Sequence, residues 1–356
     1  MHGLGDDPGR NAKKLRRLGF SAVVGNTENI GAALENGLDC YLCAGAYGYS
    51  GEFKNENYLS IDVNGDRRLW FGSTCPTNFG VREKNIETIK SMARTPGIKG
   101  VLIDGARFSS PASADNIESF FTCFCGGCMK KADSMGYDAL RMRESARELY
   151  LLIKGAGRPA GFIENRLPGL IDWFSFRRRA TEEHLTDFAE TIKTANAELK
   201  AGIYIFTPSL SFLVGQNYSG LANVLDFFSP MIYRKYNAPE GPACLNHEMA
   251  AIFSSVNGIF SDERRTESFL SSLFGFSVTP RALADGFPPG VIYSEIKKAI
   301  SLAGGKKVAP IIQLDDEFLD ESIAACENAG ADTVNFFLYD DKKIDDAIKK
   351  GIFINN

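Results

Sequence analysis

Short apolar runs alternate with amphipathic stretches along the chain. Seven of the runs predict buried strands, at 21–25, 40–47, 100–105, 201–206, 227–233, 308–314 and 333–339. Helical periodicity is found between and after them, at 11–18, 82–93, 139–153, 170–197, 220–224, 247–255, 293–303, 317–328 and 342–350. This alternation is typical of a parallel sheet in which each strand is followed by a helix.

The number of strand–helix units indicates a closed barrel rather than an open sheet. Every strand is apolar and ends in polar residues or glycine, as barrel strands do. We therefore predict an α/β fold, a (β/α)8 TIM-type barrel. Its first strand is expected at or before Met1-His2-Gly3, so it is either vestigial or encoded upstream. A length of 356 residues suits one barrel with insertions, and no linker or repeat divides the chain.

Two segments interrupt the alternation and are predicted insertions, at about 50–75 and 108–170 of a single domain over 1–356. The first contains Asn64-Gly65 between two alternating apolar runs, which is a strong signal for a β-hairpin. The second follows the third visible strand and is predicted to form an elaborated loop.

Composition and charge exclude several classes of protein. The chain is 44% hydrophobic and 24% charged, with a formal net charge of −4, as in an ordered globular protein. The longest basic run is Arg177-Arg178-Arg179, so nucleic acid is not an expected partner. No apolar run reaches the roughly 18 residues of a membrane span, and none resembles a leader. We expect a cytoplasmic protein; the alternative is a protein whose leader has already been removed. No feature of the sequence indicates the oligomeric state.

Catalytic and substrate-binding residues are expected at the strand ends, because the carboxyl ends of barrel strands form the active-site face. The side chains expected there are Tyr47, Asp104, Arg107, Thr207, Tyr233, Arg234, Gln313, Asp315, Asp316, Asn335 and Tyr339. No histidine lies at a strand end, and no GxxxxGK[ST] or GxGxxG motif occurs. Carboxylates among amides and aromatic rings suit glycoside chemistry, so a carbohydrate is the expected substrate.

Asp104 is the first candidate for a catalytic carboxylate, because it ends a buried apolar run with Arg107 beside it. A neighbouring cation would keep it ionised, as a nucleophile or a stabilising carboxylate requires. The alternative is a loop cap or a structural ion pair with Arg107. The acid/base is assigned to Asp315 or Asp316, although one of the acidic residues here is expected to cap the next helix. Glu164 is a weaker rival.

The remaining polar residues at strand ends are predicted to contact the substrate. Arg107, Tyr233 and Gln313 would position sugar hydroxyl groups. The predicted substrate-binding set is completed by Tyr47, Asn335 and Tyr339. A packed core position is an equally good interpretation of each tyrosine.

The cysteines show the most specific pattern in the chain. Cys123, Cys125 and Cys128 form a CxCxxC motif with a Gly-Gly turn, which can hold one face of a metal ion. Cys75 follows the predicted hairpin and is the candidate fourth ligand, which would complete a structural zinc site. Buried free thiols and an iron–sulfur cluster are the alternatives.

These motifs resemble the central part of the glycoside hydrolase family 42 β-galactosidases and of related glycosyl-hydrolase-like families. The similarity consists of Cys75-Pro76-Thr77-Asn78, a helix, a strand ending in Asp104-Gly105, and the CxCxxC motif followed by Ala132. Weaker similarities at 173–178, 216–218 and 226–233 extend it over roughly 38–236. The resemblance implies a TIM barrel and a structural zinc held by four cysteines.

One departure from family 42 limits what the resemblance implies. Those enzymes end the corresponding strand with Asn-Glu, the Glu being the acid/base, whereas Asp104 is followed here by Gly-Ala-Arg. β-Galactosidase activity is therefore not expected. The Asp-Gly strand end is more similar to α-L-fucosidases, in which the Asp is the nucleophile. Two alternatives stay open: a non-catalytic carbohydrate-binding barrel, and a metal- or cluster-dependent enzyme that uses the CxCxxC thiols.

Overall fold

A computed structural model describes residues 1–114, 116–156, 162–235 and 244–353, with the backbone alone for 162–164. The strands are β1 (Ala22–Gly25), β2 (Asp39–Gly45), β3 (Ser60–Ile61), β4 (Arg67–Arg68), β5 (Gly100–Asp104), β6 (Lys200–Phe206), β7 (Phe227–Met231), β8 (Lys307–Val308), β9 (Ile311–Gln313) and β10 (Asn335–Phe337). The predicted strand at 308–314 is interrupted because Pro310 has no N–H to donate to a neighbouring strand.

Helices follow the barrel strands. They are α1 (Pro8–Arg17), α2 (Ile30–Glu35), α3 (Phe79–Met92), α4 (Gly126–Ser134), α5 (Ala139–Ile153), α6 (Phe162–Ala195), α7 (Pro208–Ser211), α8 (Tyr218–Leu221), α9 (Leu245–Phe260), α10 (Glu263–Phe274), α11 (Pro280–Asp285), α12 (Pro289–Leu302), α13 (Leu319–Ala329) and α14 (Asp341–Lys349). The sequence pattern misses α2, α4, α7, α10 and α11, and it starts α6 eight residues late, at 170 rather than 162. Within the described ranges, no helix has the length and apolar character needed to cross a membrane.

The barrel strands form one curled parallel sheet in the order β1-β2-β5-β6-β7-β9-β10, with β8 also paired to β7. Residues 1–3 lie between its two edges. The Gly3 N–H donates to the Val24 carbonyl oxygen at 2.8 Å, and the His2 N–H donates to the Phe336 carbonyl oxygen at 3.0 Å. Met1-His2-Gly3 thus occupies the position predicted for the first strand, or for its end, and the predicted TIM-type barrel fold is confirmed.

Alternation along the strands determines which side chains enter the barrel. In β5, Val101 and Ile103 pack outward against a cluster that includes residues of α3 and α6. Leu102 instead belongs to the interior cluster, together with Tyr204 and Phe206 of β6. Because side chains on a strand alternate between faces, Asp104 shares the inward face of Leu102.

The predicted hairpin is present as β3 and β4, which pair antiparallel. Gly65 supplies the positive φ of 97° in its turn, as the Asn-Gly signal predicts. Asp62 is fully buried in the hairpin, where it accepts hydrogen bonds from the Asn64 N–H at 2.8 Å and Arg68 Nε at 2.8 Å. These bonds hold the short hairpin in place beside the barrel.

Candidate functional site

Asp104 ends β5 at the carboxyl face of the barrel, where it is paired in register with Gly45 of β2. The next residue, Gly105, has a φ of 72° and turns the chain away from the strand. Burial raises the pKa of Asp104, while the positive charge of Arg107 and the Gly105 N–H oppose that rise. The predicted carboxylate therefore lies inside the mouth of the barrel, next to the predicted cation.

Arg107 is a buried cation, only 5% exposed, at the same mouth. Its guanidinium carbon lies 4.7 Å from the ring centre of Phe206 and 5.0 Å from that of Trp70. Burial lowers its pKa to about 10, and the charges of Glu248 and Asp104 oppose that shift. Arg107 is therefore a cation at neutral pH, and the charges of two nearby carboxylates stabilise it.

Glu248 is the second of these carboxylates, and it was not predicted from the sequence. It is 3% exposed on α9 and accepts hydrogen bonds from Ser110 Oγ at 2.5 Å and from the Ala112 N–H at 3.0 Å. Both of its oxygens are therefore bound to the loop that follows Arg107. One signal was available: Glu248 is the sole Asp, Glu, Lys or Arg in the sequence of α9 and shares a helical face with Leu245 and Met249.

Two buried tyrosines stand close to Asp104 inside the barrel. Tyr204 lies on β6 and Tyr233 follows β7. Burial raises the pKa of both hydroxyl groups, and the charge of Asp104 adds to that rise. The Tyr204 hydroxyl also hydrogen-bonds to His2 Nδ1 at 2.8 Å. Burial lowers the pKa of His2 to about 4, so this ring is neutral at pH 7. Tyr233 is thus near Asp104, as its predicted role requires, while Tyr204 and His2 were not predicted.

Asp316 lies after β9 but is occupied by structural contacts. Its carboxylate binds Arg234 Nε at 2.8 Å and Arg234 Nη2 at 2.5 Å, in a pair that is buried on both sides. It also accepts hydrogen bonds from Ser322 Oγ at 2.8 Å and the Phe318 N–H at 3.0 Å, at the start of α13. These bonds support the start of α13, but the N-cap residue of that helix is Phe318, so the prediction that one of the acidic residues caps it is wrong.

Asp315 is more accessible than its neighbour. Its side chain is 35% exposed and pairs with Lys343 Nζ at 2.8 Å. Its charge also contributes to the raised pKa of the Cys244 thiol, and Gln313 Nε2 lies 3.9 Å from Cys244 Sγ. Gln313, the last residue of β9, and Asp315 therefore both lie near the thiol of Cys244. The side chain of Glu164 lies outside the described residues.

Three predicted substrate-binding residues are not at the mouth. Asn335 is the first residue of β10, not its end, and its amide donates to Ser229 Oγ at 3.2 Å at the amino side of the barrel. The Tyr47 side chain is buried behind the sheet with its ring centre 5.4 Å from that of His184, because the chain leaves β2 at Gly45.

Tyr339 is also turned away from the barrel interior. Its hydroxyl donates to Asp341 Oδ1 at 2.8 Å, at the start of α14. Its ring packs in the cluster formed by α1, α13 and α14. The predicted substrate contacts of Asn335, Tyr47 and Tyr339 are therefore not supported, because these side chains make structural contacts away from the mouth.

The four predicted metal ligands come together in space. The sulfur atoms of Cys75, Cys123, Cys125 and Cys128 all lie within 4.8 Å of one another. Cys75 Sγ is 3.7 Å from Cys125 Sγ and 3.5 Å from Cys128 Sγ, and all four cysteines are free of disulfides. The cluster joins the end of the hairpin insertion to the start of α4, where Cys125 is the N-cap.

Structural comparison places the chain among barrels of low sequence identity. A β-galactosidase from the Antarctic haloarchaeon Halorubrum lacusprofundi gives a TM-score of 0.60 at 12% identity, covering 95% of this chain and 52% of that enzyme. The PgaB (BpsB) glycoside hydrolase domain from Bordetella bronchiseptica gives a TM-score of 0.55 at 11% identity, covering 96% of this chain and 91% of that domain. The catalytic domain of β-amylase from Paenibacillus polymyxa gives a TM-score of 0.54 at 12% identity, covering 94% of this chain and 90% of that domain.

The fold is therefore that of the TIM-barrel glycoside hydrolases, which confirms the fold-level part of the predicted resemblance. The chain spans about half the length of the haloarchaeal β-galactosidase. No protein-family model and no curated protein matches the sequence. At 11% to 12% identity the comparison carries no substrate and no catalytic residue to this chain.

Replacing Asp316 by Ala is expected to lower the free energy of unfolding by about 3–5 kcal/mol, because the buried Arg234 guanidinium loses its buried partner and keeps only the exposed Glu317, at 3.3 Å, as an ion-pair partner. Asp315→Ala is the matched control. It removes a half-exposed ion pair with Lys343 and should cost no more than about 1 kcal/mol. Urea unfolding of both variants measures the difference. Equal losses would contradict a structural role specific to Asp316.

Proposed function

We propose that the protein is a glycoside hydrolase in which Asp104 is the nucleophile or the carboxylate that stabilises the positive charge of the transition state. The observation that supports this most directly is that Asp104 ends β5 inside the barrel mouth, close enough to the buried cation Arg107 for the charge of Arg107 to lower the pKa of the carboxyl group. A cation in low dielectric favours the ionised carboxylate that either role requires. The likeness to barrel glycoside hydrolases supports the proposal, since such enzymes carry their chemistry on the face where this pair lies.

The neighbouring polar groups can bind a sugar. Tyr233 lies close to Asp104, and Gln313 follows it around the mouth on β9. Hydroxyl and amide groups of this kind donate to and accept from sugar hydroxyls. Arg107 donates to the Phe108 carbonyl oxygen at 3.1 Å and to Ser113 Oγ at 3.0 Å, so its position is fixed before any substrate binds.

For the acid/base we propose Asp315 rather than Asp316. A general acid must carry and release a proton at an accessible oxygen. The carboxylate of Asp316 is engaged by Arg234, Ser322 and a backbone N–H, whereas Asp315 has one partly exposed lysine as its ion-pair partner. In retaining glycosidases the two carboxyl groups are about 5 Å apart, and in inverting ones about 6.5–9.5 Å.

Asp104→Asn is expected to lower turnover of the best substrate by a factor of about 100 or more, which corresponds to at least about 2.7 kcal/mol of transition-state stabilisation. A panel of 4-nitrophenyl glycosides and oligosaccharides supplies the substrate, and circular dichroism checks the fold. Asp39→Asn is the matched control, since Asp39 begins β2 at the opposite end of the barrel. Unchanged turnover in Asp104→Asn would exclude Asp104 from the chemistry. Sugar binding with no turnover in the wild type would favour the carbohydrate-binding barrel.

The acid side of the pH–rate profile is expected to depend on Arg107. Burial raises the pKa of Asp104 and the Arg107 charge opposes this rise, so activity should fall as the pH falls through the pKa of Asp104. Removing the cation in Arg107→Gln should raise that pKa further and move the acid limb of kcat/KM to higher pH. An acid limb at the same pH in wild type and Arg107→Gln would contradict the proposed pairing.

We also propose that the four cysteines hold a structural zinc ion, and the residues fit this group. A tetrahedral site with Zn–S bonds of about 2.3 Å places its sulfur atoms about 3.8 Å apart, close to the 3.5 and 3.7 Å seen from Cys75. The Ile61 N–H donates to Cys123 Sγ and the Cys128 N–H donates to Cys125 Sγ, both at 3.4 Å, as suits thiolate acceptors.

A buried arginine also fits a negatively charged centre at this place. Arg177 is fully buried, and its Nε and Nη1 have no hydrogen-bond partner within the described part of the chain. Burial and the charge of Arg107 lower the pKa of Arg177 well below its usual range, while the charges of Cys123 and Cys128 oppose that shift. A guanidinium this deeply buried requires negative charge nearby. Four thiolates around a divalent ion carry that charge. Such a closed set of ligands supports a structural role rather than catalysis by the thiols.

Purified protein is expected to contain about one zinc per chain, measured by plasma mass spectrometry. Cys128→Ser should lose zinc and melt at a lower temperature, because the centre links the hairpin insertion to α4. Cys326→Ser is the matched control, a buried thiol of α13 away from the cluster, and it should keep the zinc. Iron with a visible absorption band would instead indicate a cluster, and a metal-free protein of unchanged stability would contradict the proposal.

A further inference from the structure

Phe71 has an unusual combination of conformation and exposure. Its side chain is 54% exposed, although it is a large apolar ring. Its φ is 47°, that of Gly72 is 62°, and the Ser73 N–H donates to the Trp70 carbonyl oxygen at 2.8 Å. Two successive positive φ values inside such a bond are the signature of a type I′ turn. Phe71 thus occupies the tip of a tight turn.

Neither local conformation nor burial explains a phenylalanine at this position. Bulky L-residues are disfavoured at positive φ, and Asn-Gly is the preferred pair in type I′ turns. A ring with more than half of its surface in water also gains little from burial. Strained residues that persist in this way are concentrated at functional sites.

The turn holds this ring beside the candidate catalytic residues. The Arg107 guanidinium carbon lies 5.7 Å from the centre of the Phe71 ring, and the charge of Arg107 acts on the Asp104 carboxyl group. The preceding residue, Trp70, is 1% exposed and anchors the turn, while the Tyr49 N–H donates to the Gly72 carbonyl oxygen at 2.7 Å. Phe71 is therefore an exposed aromatic face in a fixed position at the rim of the mouth.

We propose that Phe71 is a substrate-binding platform that stacks on the C–H face of a pyranose ring, in the subsite next to the one in which Asp104 acts. The negative face of an aromatic ring attracts the positively polarised C–H groups of a sugar, and a rigid ring loses little entropy on binding. This inference rests on the proposed function. It adds a substrate class: an oligosaccharide or polysaccharide with at least two pyranose units.

The test is sugar binding in the Asp104→Asn background, in which turnover is expected to be slower by a factor of about 100 or more. Cellotetraose, chitotetraose, maltotetraose and β-1,4-galactotetraose are titrated by calorimetry, and the best-bound one is the probe. Adding Phe71→Ala should weaken its affinity about three- to tenfold, whereas Phe71→Trp should retain it. Phe269→Ala is the matched control, because Phe269 is 45% exposed on α10 and its loss should leave binding unchanged.

A second variant separates binding from folding. Phe71→Asn gives the turn its preferred Asn-Gly pair, so it should raise Tm by about 2 °C or more. It should lower the affinity for the sugar as much as Phe71→Ala does. A lower Tm with unchanged affinity would show a packing role and overturn the proposal. Failure of every tetrasaccharide to bind the wild type would overturn it as well.

Failure of this proposal and failure of the proposed function are distinguishable. Undiminished affinity in Phe71→Ala, in a protein whose wild type hydrolyses glycosides, would overturn the platform and leave the hydrolase assignment in place. Weakened affinity in Phe71→Ala, in a protein whose wild type hydrolyses none, would support the platform and overturn the hydrolase assignment.

Discussion

The mouth of the barrel is organised around one buried charge, the guanidinium of Arg107. A cation only 5% exposed must be surrounded by groups that replace its hydration. Asp104 and Glu248 supply negative charge, and Trp70 and Phe206 supply ring faces at about 5 Å. These partners come from separate elements, the end of β5, helix α9, the segment after the hairpin, and β6. The requirement to compensate Arg107 therefore brings four parts of the chain to one place.

The same insertion that covers Arg107 is held at its other side by the cysteine cluster. Trp70 contacts Arg107, and Cys75 lies five residues further along beside Cys125 and Cys128. The turn of Phe71 lies between these two residues. It is held on one side by the buried Trp70 and on the other by the cysteine cluster. A metal ion at the cysteines would act on the candidate active site through this segment, by limiting its motion, and would need no contact with a substrate.

The sequence predicts the parts of this arrangement that depend on local pattern. Asp104 is found because a buried strand ends there, and the cysteine set is found because three ligands lie within six residues. Glu248 and Phe71 are missed because their positions depend on packing between distant segments, α9 against the loop after β5 and a turn against Arg107. Asn335 is misplaced because β10 is shorter than its apolar run, so a residue inside the run becomes the start of the strand.

The carboxylates at this face differ in how much of their hydrogen-bonding capacity the protein uses. Asp316 and Glu248 are each bound to several donors, and such groups lose stabilising contacts when they move a proton. Asp104 has a charged neighbour and one backbone donor, and Asp315 has one partly exposed lysine. Chemistry requires groups whose protonation can change without dismantling the fold around them. By that criterion Asp104 and Asp315 suit the proposed chemistry better than Glu248 and Asp316, which hold the loop after Arg107 and the start of α13.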